Sequence, residues 1–71
     1  MNAKEWLAEF AARLGTEPPS TEEFSGILDL AGEAAHASER VAAPAAAWLA
    51  AKAGRSPAEA LEVAKQIGAG D

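Results

Sequence analysis

The sequence predicts an all-α fold, a small bundle of four short helices. Three observations carry this. Apolar residues recur at three-and-four spacing in successive segments, Ser or Asn followed three residues later by Glu opens three of those segments, and Gly and Pro fall between them. No stretch alternates apolar and polar residues as a half-buried strand would, and no heptad is long enough for a coiled coil.

The first helix is expected over about 3–14, with Ala3, Trp6, Leu7, Phe10 and Leu14 on one face and Asn2 with Glu5 as a capping box. Gly15 supplies a left-handed stop, and Pro18 and Pro19 prevent an immediate restart. Ser20 with Glu23 opens a second helix, expected over about 21–40, with a stripe through Phe24, Ile27, Leu28, Ala31, Ala35 and Ser38 that Leu30 and Ala34 widen. Its glycines, Gly26 and Gly32, each cost about 1 kcal/mol of helix propensity relative to Ala. They either permit close helix contact or are simply tolerated.

Pro44 suits the first turn of a new helix, so a bend is expected between Glu39 and Pro44 and a third helix over about 44–53, closed by Gly54. That helix is apolar on almost every side, with Lys52 its only charge, and such a helix is normally surrounded by its own domain or by a partner. Ser56, Pro57 and Glu59 start a fourth helix over about 57–67, with Ala60, Leu61, Ala64 and Ile67 facing inward, Val63 beside them, and Gly68 as its stop. The tail Ala69–Asp71 is expected to fray.

A chain of 71 residues forms one domain, 1–71, with few large apolar side chains and about twenty alanines, which favour helix but bury little area. Trp6 and Trp48 are expected as core anchors. With no cysteine, disulfides and thiolate metal sites are excluded, which leaves homo-oligomerisation as a common source of extra stability. A net charge of −5 with Lys and Arg scattered argues against nucleic-acid binding. No apolar run approaches a membrane span and no signal-peptide core is present, so a cytoplasmic location is expected.

One polar constellation stands out. On a continuous second helix, Asp29, Glu33, His36 and Arg40 share a stripe, with Glu39 near the bend. His36, Glu39 and Arg40 are the candidate ligand- or partner-binding residues: Arg40 could hold an anion, His36 could donate or accept a hydrogen bond, and Glu39 could instead cap the third helix. The competing reading is a solvated face carrying ordinary ion pairs. One histidine does not furnish a di-metal bundle, so no metal and no cofactor are expected. No motif surrounds any serine, so no catalytic residue is assigned and the chain is not expected to be an enzyme.

The run Ala35-His36, Glu39-Arg40, Ala42-Ala43-Pro44 and Leu49 resembles a bacterial domain family of unknown function, and Trp6, Leu7, Leu14 and Gly15 are consistent with it. That family occurs alone or behind the nucleotidyltransferase domain of molybdenum cofactor guanylyltransferases. Its members often carry proline directly after the arginine and glycine in the small run after the leucine, where Val41 and Ala51 stand here. The resemblance implies a non-catalytic accessory or protein-interaction module whose partner is such a guanylyltransferase. The alternative is weak binding of an anionic pterin or nucleotide by His36 and Arg40. A ligand site should bury these two around a concavity, whereas a docking module should expose a flat apolar patch containing alanines of the third helix.

Overall fold

The computed structural model describes residues 1–67 and contains four helices: α1 (Ala3–Leu14), α2 (Thr21–Ala37), α3 (Ala42–Lys52) and α4 (Pro57–Gln66). There is no strand among the described residues. The stop expected at Gly68 and the tail Ala69–Asp71 lie outside them.

All three capping boxes form. The side chains of Asn2, Ser20 and Ser56 accept the amides of Glu5, Glu23 and Glu59, and each glutamate accepts the amide of its cap residue in return. Two orphan donors are thereby satisfied at each helix start, and a negative charge lies at the positive end of each helix dipole. Gly15 and Gly54 take φ of 80° and 73°, the left-handed conformation that glycine adopts without a Cβ clash. Thr16 then donates to Ala11 and Arg55 to Ala50, which closes α1 and α3 on their own last carbonyls.

The passage from α2 to α3 departs from expectation. α2 ends at Ala37, not Arg40: Ser38 donates to Ala34 at 3.1 Å and then leaves the helix at φ −134° and ψ −101°. α3 begins at Ala42, so Pro44 is its third residue rather than its first. Proline is tolerated there because the first amides of any helix lack an intrahelical partner, and a missing N–H within the first turn loses no bond. The amides of Ala42 and Ala43 instead reach the main-chain carbonyls of Glu39 and Arg40, at 2.9 and 3.1 Å.

α2 is the hub. It packs against both α3 and α4, which meet each other more sparingly. The approach to α4 is close at one point, where a Cβ built on Gly26 would stand 2.9 Å from Cβ of Pro57, while a Cβ on Gly32 would meet nothing within 4 Å. Gly26 therefore permits helix contact and Gly32 is merely tolerated. The face α2 turns inward is centred on Leu30, 3% exposed, with Ile27, Ala31 and Ala34 half-buried around it, and Leu28 is left outside.

The core is smaller than the sequence suggests. Among the described residues only Ala11 and Leu30 are buried, and Trp6 and Trp48, expected as anchors, are 53% and 61% exposed. Val63 of α4 is also outside, and so is Ile67, expected to face inward, which leaves the helix in extended conformation just past Gln66. The physical reason is that α3 meets α2 mainly through Ala42, Ala43, Ala46, Ala47 and Ala50, whose small side chains leave no layer deep enough to enclose an indole. α1, for its part, brings no Cα within 8 Å of a Cα in another helix.

Two outcomes follow from these contacts. Gly26→Ala should lower stability by about 1–2 kcal/mol in urea melts, because the proline ring cannot swing away and overpacking outweighs the gain in helix propensity. Gly32→Ala should be neutral or stabilising by up to about 1 kcal/mol, and equal effects at both positions would contradict the packing described. The second outcome concerns acid. The amide and then the hydroxyl of Ser56, with Arg55 nearby, hold the Glu59 carboxyl below its ordinary range. Because its folded pKa is depressed, its contribution is complete above the unfolded carboxylate pKa and is lost as pH falls through the folded value. Glu59→Gln should therefore flatten part of the acid limb of the stability curve, and an unchanged slope there would show that the cap is not coupled to folding.

Candidate functional site

The shortened α2 breaks the expected polar stripe. Asp29, Glu33 and His36 remain on the helix, whereas Glu39 and Arg40 sit in the turn that follows it. His36, Glu39 and Arg40 are all exposed, and none makes a side-chain hydrogen bond or ion pair among the described residues. The Glu39 carboxylate does not cap α3; its main-chain carbonyl does the turn's work instead. Glu33 differs from its neighbours in being half-buried, at the edge of a shallow apolar depression shared by Ala37, Ala46, Leu49 and Ile67.

No set of three potential metal ligands comes together among the described residues. The ion pairs found there, Arg13 with Glu9 at 2.9 Å and Lys65 with Glu62 at 3.7 Å, lie on single exposed helix faces. The largest depression, about 760 Å³, runs between Leu7, Pro19, Phe24 and Ala50. Two of the polar residues lining it, Glu23 and Ser56, are already committed to helix caps. Neither His36 nor Arg40 lines any of the four main depressions.

The distinctive surface lies on α3. At 100° per residue, Ala42, Ala43, Ala46, Ala47 and Ala50 occupy the face turned to the body, all half-buried. Pro44, Ala45, Trp48, Leu49 and Ala51 occupy the other, all exposed. Lys52 is its one charge, with Nζ 4.8 Å from the centre of the Trp48 ring. This cation–π contact holds the indole along the helix surface and leaves the rest of the ring to solvent. Leu49, at the edge of the face, continues into a second apolar depression with Val63 and Ile67.

Sequence reasoning had the signal for this surface in a helix apolar on all sides, but assigned Trp48 to the interior. The stripe that joins His36 to Arg40 needs a helical register that stops at Ala37, and Glu39, expected at the bend, lies in the turn. Because backbone carbonyls carry the α2–α3 turn, Glu39→Ala and Arg40→Ala should each move the unfolding free energy by no more than about 0.5 kcal/mol, as for ordinary surface changes. Thermal melts of both variants test this, and a loss beyond about 1 kcal/mol at Glu39 would restore a structural role for its carboxylate.

The family model described as "Domain of unknown function (DUF6457)" matches residues 1–69 of the chain. Neither the curated proteins nor the solved structures give a match.

Proposed function

The chain belongs to that domain family of unknown function, and from this premise we propose that it is a non-catalytic helical module that docks on a protein partner through the outer face of α3. The observation that carries the reading is the sidedness of this helix. Its body-facing side is all alanine, and its solvent side presents Trp48 with Pro44, Ala45, Leu49 and Ala51 around it. A large aromatic amid small apolar neighbours is the arrangement of an interface anchor, contributing wide contact area with little side-chain entropy to lose.

Lys52 at the margin fits a partner surface that is apolar at its centre and acidic at its rim. No helix among the described residues is long and apolar enough to cross a membrane. The exposed, unpaired setting of His36 and Arg40 supports docking over enclosure of a pterin or nucleotide, because a small-molecule site gains affinity from a concavity that neither residue lines.

The partner we propose is a molybdenum cofactor guanylyltransferase. The support is the resemblance carried by Ala35-His36, Glu39-Arg40, Ala42-Ala43-Pro44 and Leu49, which lie on α2, the turn and α3 itself.

Calorimetric titration of the purified chain into the purified guanylyltransferase of the same cell tests both parts. Binding is expected, with Trp48→Glu weakening it at least about tenfold, equivalent to about 1.4 kcal/mol, while the melting curve of the free variant stays within about 1 kcal/mol of the parent. No heat with the intact chain would remove the guanylyltransferase as partner. Binding that survives Trp48→Glu would remove α3 as the docking face.

A further inference from the structure

We propose that two copies of the chain associate through the free edge of α1, antiparallel about a two-fold axis that passes at Phe10. The proposal is independent of the docking face on α3 and rests on a different helix.

α1 has two apolar edges. Leu7 and Ala11 turn toward the chain's own body, whereas Trp6, Phe10 and Leu14 form a second stripe at intervals of four that remains 53%, 46% and 63% exposed. The rings of Trp6 and Phe10 lie 5.1 Å apart and form one continuous aromatic surface. Among the described residues no helix packs along this edge, and no Cα of α1 lies within 8 Å of a Cα in another helix.

Area identifies the scale of what is left open. The chain exposes 5481 Å², whereas a folded monomer of 7.2 kDa is expected to expose only about 4,100 Å². A specific interface takes about 800 Å² from each partner, so the surplus, more than about 1,000 Å², is sufficient for one. The radius of gyration agrees, at 13.0 Å against about 11 Å for a compact chain of this length.

The pattern on α1 also selects the occupant. Trp6 precedes Phe10 by four residues and Leu14 follows it by four. An antiparallel copy therefore sets Phe10 against Phe10 and Trp6 against Leu14, which is the self-complementarity a two-fold interface requires. Glu9 and Arg13 lie on the same flank of the stripe, one residue before its centre and three after. The two-fold brings Arg13 of one copy beside Glu9 of the other, so the exposed pair within each helix becomes part of a four-charge cluster with the two Glu9 carboxylates at its centre and an Arg13 guanidinium at each end. A parallel arrangement would place like charges at equal heights.

Sedimentation equilibrium over a range of protein concentrations tests the proposal. The mass should rise from 7.2 kDa toward twice that value. Phe10→Glu, which sets two carboxylates facing each other at the axis, should return the mass to that of the monomer with the helical circular dichroism retained. Trp48→Glu should leave the dimer intact. The chain has no cysteine, so Phe10→Cys should give a disulfide-linked dimer on mild oxidation while Trp48→Cys should not. A monomeric mass at every concentration would overturn the proposal, as would a dimer that survives Phe10→Glu or one dissolved by Trp48→Glu. Because these readouts need no guanylyltransferase, their failure is distinct from failure of the docking function.

Discussion

The arrangement of the body depends on the absence of a side chain at Gly26. Removing one Cβ there lets the first turn of α4, at Pro57, approach α2 to a distance that a methyl group would forbid. Pro57 is itself fixed by its ring and by the Ser56–Glu59 box around it. The contact is therefore between two rigid helix segments, and it sets the path of α4 along α2. α3, joined to α4 through Gly54, Arg55 and Ser56, is confined to the remaining side of the hub. The alanines of α3 follow from this confinement, because larger residues on its body-facing side would push it away from α2.

Part of the acidity of the chain belongs to its helix starts. Glu5, Glu23 and Glu59 return hydrogen bonds to their cap residues, Glu22 shares the first turn of α2, and Glu9 and Glu62 pair with Arg13 and Lys65 one turn further along. Four of the eleven acidic residues thus lie in the first turns of helices, where the dipole favours negative charge. The same arrangement helps α1, α2 and α4 persist around so slight a core, whereas α3 starts without a side-chain cap.

What could be read in the sequence was what is decided within a few residues. The limits of α1, the three capping boxes and the left-handed stops at Gly15 and Gly54 were all legible, because each is fixed by groups less than two turns apart. The end of α2 was not, since Ser38, Glu39 and Arg40 include no glycine or proline and the helix stops only through the turn bonds that launch α3. Pro44 was placed in the right turn but at the wrong residue, as proline fits anywhere in the first turn. The stripe of Asp29, Glu33, His36 and Arg40 failed with the end of α2, because joining Arg40 to His36 on one helix face required a helix that does not continue. The two tryptophans show a different limit. Sequence signals that an indole must find an apolar surface, yet it does not say whether that surface belongs to the same chain.

The prolines at 18 and 19 bear on how the molecule opens. They lie in the connector between Gly15 and Ser20, where α1 is linked to the body by Leu7, Pro19 and Phe24 around one depression rather than by packed helix axes. Opening this joint uncovers Leu7 and Ala11 but leaves the contacts of α2 with α3 and α4 around Leu30 in place. Amide protons in α1 should therefore exchange through a cheaper fluctuation than those in the middle of α2.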